Sequence, residues 1–479
     1  MMHRAKIRLV FVVVLAGSLP GTVFASTVSF SKAVLPQAVS GQHADLNNDG
    51  REDFVYPNYT TGAFEVVLST GDGAYGAPMP YTIPGGADTN SIAIGDFNSD
   101  GKADLAISGS DNAIHLFLNN GSGKFSQKAV FALKGAGSLI NAGDFNHDGI
   151  MDLALTGSNV TVWFGNGKSG FTPGPSTAFP AGVGGDYVLL GDFDGDGNAD
   201  LAFGEFESPD ALVFYGNSTG HFPKSSWIET NLVNVGFAAA DVNSDGKMDI
   251  IAVQSGSGIK HLTVFYGNAA RTWTKSTTVA TAHAAAEATA ADVNGDGIND
   301  LIVREQGCDT ASDDCLGVLT RNSNGTYGPQ QTVFTSAELN TLSVVRAVRN
   351  TKPDILTQSC AQSACSTINS VILLNTTAGS FPSCEAPNAF EGINVCSPAA
   401  GGTVASPVSF KVGAAGQVVM RKVEVWADGK KLVEQLNGYS NYTFLSKSLS
   451  LSKGSHQVAV FAAGWDNSLQ KKAFTLNVK

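Results

Sequence analysis

Asp96-Phe97-Asn98-Ser99-Asp100-Gly101-Lys102-Ala103-Asp104 is one of six copies of the pattern Asp-x-Asn/Asp-x-Asp-Gly-x-x-Asp; the others begin at Asp45, Asp144, Asp192, Asp241 and Asp292. Successive first Asp residues are 51, 48, 48, 49 and 51 positions apart. A period near 50 marks a repeat architecture, and the repeated element is an acidic loop turned by glycine. Positions 1, 3, 5 and 9 offer side-chain oxygens, while position 7 varies in side chain and offers its backbone carbonyl. The ligand sets read this way are Asp45, Asn47, Asp49, Arg51 and Asp53; Asp96, Asn98, Asp100, Lys102 and Asp104; and Asp144, Asn146, Asp148, Ile150 and Asp152. They continue with Asp192, Asp194, Asp196, Asn198 and Asp200; Asp241, Asn243, Asp245, Lys247 and Asp249; and Asp292, Asn294, Asp296, Ile298 and Asp300. Five or six hard oxygens suit calcium at about 2.3–2.6 Å better than magnesium, which demands a stricter octahedron. Carboxylate count alone ranks the loop at Asp192 as the tightest of the six.

An apolar run enters each loop (Ser91-Ile92-Ala93-Ile94-Gly95) and another leaves it (Leu105-Ala106-Ile107). A third run follows (Ile114-His115-Leu116-Phe117-Leu118), then a Gly/Asn turn and a fourth run opening at Phe125. Four short β-rich runs per unit read as an antiparallel sheet, and such units at this period read as propeller blades. A seventh unit is degenerate. Ser343 to Val348 leads to Pro353-Asp354-Ile355-Leu356, with Arg346 and Arg349 where carboxylates are expected, so this unit is read as metal-free. Val28-Ser29-Phe30-Ser31-Lys32-Ala33-Val34 resembles the fourth run of a repeat but precedes any complete unit. It is expected to complete the seventh sheet and remove an exposed edge. The fold class is therefore all-β: a seven-bladed β-propeller over residues 26–387, with six or eight blades as alternatives, then an immunoglobulin-like β-sandwich over 388–479. The sandwich rests on alternation such as Val423-Glu424-Val425-Trp426, a hairpin turn at Asp428-Gly429 and a break from Val412-Gly413 to Gly416, with about seven strands in all.

Residues 1–25 read as a secretory signal: a basic start, a short apolar core from Leu9 to Gly17, and Val23-Phe24-Ala25 before the cleavage point. The mature chain is expected outside the cell or in the periplasm, with no membrane span. Cysteines fall as Cys308/Cys315, Cys360/Cys365 and Cys384/Cys396; six allow 15 connectivities, and proximity favours these local disulfides over zinc. Formal charge is −12, and −15 without the signal; 19 of the 42 acidic residues lie at loop ligand positions. Six divalent cations would neutralise most of that excess. Basic stripes are absent, which argues against nucleic acid as a partner.

The loops open like an EF-hand, but that motif needs Glu at position 12 and flanking helices. Position 12 is Tyr56, Ile107, Leu155, Phe203, Ala252 or Val303, each within an apolar run, which excludes it. A solvated Asp-Gly turn explains one copy but not six in register. With these loops, and with Trp163-Phe164-Gly165-Asn166-Gly167, Phe214-Tyr215-Gly216-Asn217 and Phe265-Tyr266-Gly267-Asn268, the chain resembles the FG-GAP/VCBS repeat family of the integrin α-subunit propeller type. The resemblance covers about residues 28–385 and implies structural calcium sites in β-hairpins. Six loops exceed the integrin number, and no integrin-like leg region follows, so integrin adhesion does not carry over.

Enzyme signals are sparse. Gly216-Asn217-Ser218-Thr219-Gly220 has the hydrolase-elbow spacing, but that elbow requires a strand-to-helix turn, and here it falls in a hairpin turn. No His-Glu-x-x-His or phosphate loop occurs, and His147 sits at a non-ligand position of the third acidic loop. The expectation is a non-enzymatic extracellular binding or adhesion module for a protein or carbohydrate ligand. The alternative is a carbohydrate-active enzyme, such as a polysaccharide lyase, on a calcium-stabilised propeller.

Overall fold

The computed structural model describes residues 27–35, 41–133, 137–180, 187–204, 210–230, 234–254, 259–308, 313–360, 368–379, 381–436, 441–466 and 468–479. The leader expected over 1–25 and Cys365, the expected partner of Cys360, lie outside them. Every regular element among the described residues is a strand, so no helix is present to cross a membrane.

Seven four-stranded antiparallel sheets account for residues 30–375, beside a small ribbon of Ser69–Gly71 with Ala74–Tyr75. The second sheet shows the plan: Thr89–Gly95, Asp104–Gly109, Ala113–Asn119 and Phe125–Ala132 lie side by side in chain order. Burial grades across it. Asp104–Gly109 is buried throughout, whereas in Phe125–Ala132 only Phe125 is buried and the rest alternate between exposed and half-buried, as suits an outermost strand. The inner runs are continuously apolar because each sheet is covered on both faces.

One face of the second sheet (Ile92, Ile94, Leu105, Ile107, Phe117) packs on Val55, Phe64 and Val66 of the first. Its other face (Ala93, Ala106, Ile114, Leu116) packs on Leu153, Leu155 and Trp163 of the third. Each fully buried side chain of this size contributes about 1.5–3 kcal/mol. The series closes on itself where Val345, Leu356 and Ile372 of the last sheet meet Phe54, Tyr56 and Val67 of the first. Phe30–Leu35 completes that last sheet, pairing antiparallel with Ile368–Asn375 from Phe30 opposite Asn375 to Leu35 opposite Ser370. The N-terminal run therefore does supply the missing outer strand.

Residues 392–478 form eight strands rather than about seven. Gly392–Ser397, Val408–Ala415 and Tyr442–Leu449 make one sheet; Thr403–Val404, Leu469–Val478, Gly454–Gly464, Met420–Ala427 and Lys430–Gln435 make the other. Their shared core includes Phe410, Val412, Val423, Val425, Leu445, Val458 and Leu476. The turn at Asp428-Gly429 is present, with φ of 50° and 79°. The break expected at Val412-Gly413 is not: Val408–Ala415 runs through it. Gly413 is there for close approach, since a Cβ would lie 2.5 Å from the Cys384 carbonyl oxygen. Two disulfides, Cys308–Cys315 and Cys384–Cys396, pair as expected.

Candidate metal centre

Each acidic loop joins the first and second strands of its sheet, and all six share one hydrogen-bond scheme. The position 1 carboxylate accepts from N–H groups further round the loop: Asp45 Oδ1 from Asp49 at 3.0 Å and Oδ2 from Gly50 at 2.8 Å. At position 3 the side-chain oxygen accepts from the N–H of position 5, as in Asn146 from Asp148 at 2.9 Å. Position 5 accepts from position 7, as in Asp296 from Ile298 at 2.8 Å. These bonds wind the side chains at positions 1, 3 and 5 around a common centre. In the fourth loop the carboxylates of Asp192, Asp194 and Asp196 each place an oxygen within 4.8 Å of the others.

The winding needs left-handed backbone at two places. Gly at position 6 has φ of 79–93°. Position 4 is also left-handed, with Asn48 at 60°, Ser99 at 60°, His147 at 61° and Ser244 at 60°. Glycine fills position 4 of the other two loops, at Gly195 and Gly295. The second requirement was visible in the sequence as a column of Asn, Ser, His and Gly, small or polar residues of which Asn, His and Gly tolerate that region best. The His147 side chain is exposed, in keeping with a non-ligand role.

Position 9 does something different. Asp53, Asp104, Asp152, Asp200, Asp249 and Asp300 are completely buried. In all but Asp104 one oxygen accepts from the N–H of position 2, for example Asp200 from Phe193 at 2.9 Å. The other accepts from a residue at or just past the end of the third strand: Ser69, Asn119, Gly165, Gly216, Gly267 or Arg321, at 2.6–3.0 Å. The seventh sheet keeps this staple. Asp354 accepts from Ala347 and Val348 at 3.1 Å and from Asn375 at 2.8 Å. It lacks the rest: Arg346, Val348 and Asn350 stand at positions 1, 3 and 5. The Arg346 side chain is completely buried, donates from Nε to the Asn350 carbonyl at 3.0 Å and lies 4.5 Å from the Tyr442 ring centre.

Burial opposes the charge that the loops carry, and backbone N–H donors offset only part of that penalty. Asp45, Asp192, Asp241 and Asp292 are pushed up to about 6 by burial, Asp104 and Asp152 to about 7, and Asp53 and Asp300 to about 8. Burial also raises Asp200 and Asp249 well above the usual carboxylate range. Clustered hard oxygens short of positive charge are a donor set that fits a hard divalent cation.

The C-terminal sandwich sits on this acidic end of the ring, an arrangement the sequence did not reveal. Gln417 Oε1 accepts from Asp96 N at 2.9 Å, and Asp466 Oδ2 from Asp144 N at 3.0 Å. Phe390 N donates to Asn48 Oδ1 at 3.2 Å, Arg421 Nη1 reaches Asp192 Oδ2 at 2.7 Å, and Tyr442 covers Arg346. Val418 and Val419 enter a cavity of about 300 Å³ between the innermost strands, lined also by His43, Ile92, Ile140, Leu189 and Ala239. Charge complements this docking. Residues 26–387 hold 37 acidic and 17 basic side chains, and residues 388–479 hold 5 acidic and 10 basic.

A buried pair also joins the first and last sheets. Glu52 Oε2 accepts from Arg346 N at 2.8 Å and faces His43 Nδ1 at 3.1 Å. At position 8 of its loop Glu52 has no counterpart in the other five, the one signal that could have marked it. Gly216 to Gly220 lies in the hairpin turn between Asp210–Tyr215 and Lys224–Glu229, so it is no hydrolase elbow.

A ring of four-stranded sheets with an acidic loop at the same corner defines a class of repeat β-propellers. The family profile for FG-GAP-like repeats matches residues 45–107, 96–155, 144–203 and 241–303, and that for the bacterial Ig domain matches 393–460. The chain is thus an FG-GAP-like repeat protein with a C-terminal bacterial Ig domain. No curated protein matches it. Among solved structures it is similar to BBS1N in complex with ARL6DN, in a mercury-soaked crystal (TM-score 0.51, 11% identity, 74% of this chain and 100% of that chain). A lead-soaked crystal of the same complex gives TM-score 0.50, 11% identity, 74% and 99%. At that identity the likeness shows the fold alone.

Proposed function

We propose that this chain is an exported calcium-binding propeller that works outside the cell as a binding or adhesion module for a protein or glycan. The carrying observation is the repetition of one buried, backbone-wound oxygen cluster in six sheets and its replacement by a buried arginine in the seventh. Calcium would be held by the side-chain oxygens of positions 1, 3, 5 and 9 and the carbonyl of position 7, and would supply the positive charge that these buried carboxylates lack. The chain's own residues do the rest: position 9 ties the loop to the hairpin beside it, and positions 4 and 6 hold the curve. Cation binding to the folded loops alone stabilises the fold by mass action. The disulfides Cys308–Cys315 and Cys384–Cys396 support an oxidising compartment.

With the sandwich on the acidic end, the opposite end of the ring is left for a partner. Its hairpin tip at Asn58–Gly62 presents Tyr59 with 82% of its surface exposed, an amphipathic anchor of the kind that recognition surfaces favour. The BBS1N structures are of a protein complex, which supports binding as a use of this fold without naming a partner here. Calcium-loaded full-length protein screened on glycan arrays and against extracellular matrix proteins tests the reading. Saturable binding weakened by Tyr59→Ala is expected; turnover of an acidic polysaccharide with no retained ligand would replace it with the lyase alternative.

A further inference from the structure

The fourth loop departs from the other five in two ways. At position 3 it carries Asp194 where they carry Asn, and two arginines from outside the loop lie on its carboxylates. Arg271 comes from the turn between the last two strands of the next sheet. Its Nε pairs with Asp194 Oδ2 and its Nη2 with Asp196 Oδ2 at 3.0 Å, while the guanidinium lies 4.9 Å from the Tyr215 ring centre. Arg421 comes from the sandwich, 2.7 Å from Asp192 Oδ2 and 5.2 Å from the Trp465 ring centre. In the third, fifth and sixth loops the second oxygen of position 5 is instead met by the neutral Asn of position 3: Asn146 to Asp148 at 3.0 Å, Asn243 to Asp245 at 3.3 Å and Asn294 to Asp296 at 3.1 Å.

The extra carboxylate of Asp194 thus comes with a counter-ion, and Asp192 with a second. Among the described residues no other loop has an arginine paired with a carboxylate in depth; in the first loop the charge of Arg346 acts on Asp45 without an ion pair. Position 7 side chains of three of them pair only at the rim: Lys102 with Asp100 at 2.8 Å, Lys247 with Asp245 at 3.4 Å, and Arg51 with Asp49 at 3.9 Å and with Asp72, outside the loop, at 2.7 Å. A divalent cation brought to the fourth loop meets two fixed guanidinium groups on the oxygens it needs, one on a fully buried carboxylate where screening is weakest.

We propose that Arg271 and Arg421 are built-in counter-ions of the fourth loop, which make it the weakest of the six cation sites and tie its filling to the seating of the sandwich. This rests on the calcium reading above but reverses the ranking by carboxylate count. Filling the fourth loop pulls Asp192 away from Arg421, one of the anchors that seat the sandwich on the ring. Two other anchors, Gln417 to Asp96 and Asp466 to Asp144, touch backbone N–H groups rather than carboxylates and do not compete with a cation.

Calcium titration of the full-length protein by native mass spectrometry and calorimetry tests this. Five sites should fill first and a sixth at least ten-fold more weakly. Arg271→Met, a substitution at a partly exposed side chain, should strengthen that sixth site about ten-fold and leave the total at six. Hydrogen exchange gives a second readout that needs no variant. Backbone exchange over residues 417–421 should rise only over the calcium range in which the sixth site fills. Six sites of equal affinity, or a sixth site unmoved by Arg271→Met, would overturn the counter-ion role and leave the calcium reading standing. Unchanged exchange at 417–421 as the sixth site fills would overturn the coupling. No calcium at any loop would remove both.

Discussion

Six of the seven sheets carry an acidic loop between their first two strands and the seventh carries Arg346 there, yet all seven keep the same buried Asp at position 9. The comparison separates two jobs that one motif fuses. Position 9 serves the fold whether or not a cation is bound, because it is retained where there is nothing for a cation to bind. Positions 1, 3 and 5 are the ones the proposed cation would need beyond position 9: they disappear together, and a buried guanidinium stands at position 1 instead. The seventh loop carries its positive charge covalently; on the calcium proposal the other six recruit theirs, the fourth against two arginines already in place.

The largest effect should come from withdrawing that recruited charge. Each site held at about 100 times its Kd contributes about 2.7 kcal/mol, so chelation should lower the melting temperature more than any single substitution. Calorimetric scans with and without chelator check it, and an unchanged melting temperature with the metal demonstrably gone would deny the structural role. Next come the staples. Asp200→Ala orphans the buried N–H groups of Phe193 and Gly216, and Asp354→Ala those of Ala347, Val348 and Asn375. Each orphaned group costs about 1–3 kcal/mol, so both variants should lose several kcal/mol in denaturant unfolding. A neutral Asp354→Ala beside a damaging Asp200→Ala would mean that position 9 serves the cation alone and not the fold.

The repeated loops, their period and the closing role of the N-terminal run were legible because each is a local pattern repeated in register. The docking of the sandwich was not. It depends on contacts such as Arg421 with Asp192 and Gln417 with Asp96, between residues more than 200 positions apart, and neither side chain carries a local sign of its partner. Arg271 was hidden in the same way, reading only as a turn residue. Gly413 misled for the opposite reason: glycine marks both turns and close backbone approach, and sequence does not tell the two apart.

A smaller effect separates the loops by pH. Burial raises the carboxyl groups of Asp45, Asp53, Asp104, Asp192 and Asp300 above their unfolded values, so the metal-free native state holds protons that the unfolded chain has released. Their contribution is fully present below about pH 4 and is lost as pH rises through about 6 to 8. Chelated protein should therefore weaken between pH 5 and 8, while calcium-loaded protein should not; equal slopes in the two states would contradict the account.

The smallest effect lies in the sandwich. His456 places Nε2 2.8 Å from the Ser452 carbonyl and Nδ1 2.6 Å from Asp428, two acceptors that raise its pKa. That contribution is present below about pH 6.5 and fades as pH rises through the raised value. His456→Gln should remove this slope without altering calcium binding, as unfolding curves at pH 6 and 9 would record.

The division between six recruiting loops and one self-sufficient loop is tested most directly by counting calcium. Metal analysis of dialysed, calcium-saturated protein should give six ions per chain, with Asp96→Ala removing one and Asp354→Ala, in whatever fraction remains folded, removing none. Protein that saturates with no ion, or that loses one with Asp354→Ala and none with Asp96→Ala, would contradict it.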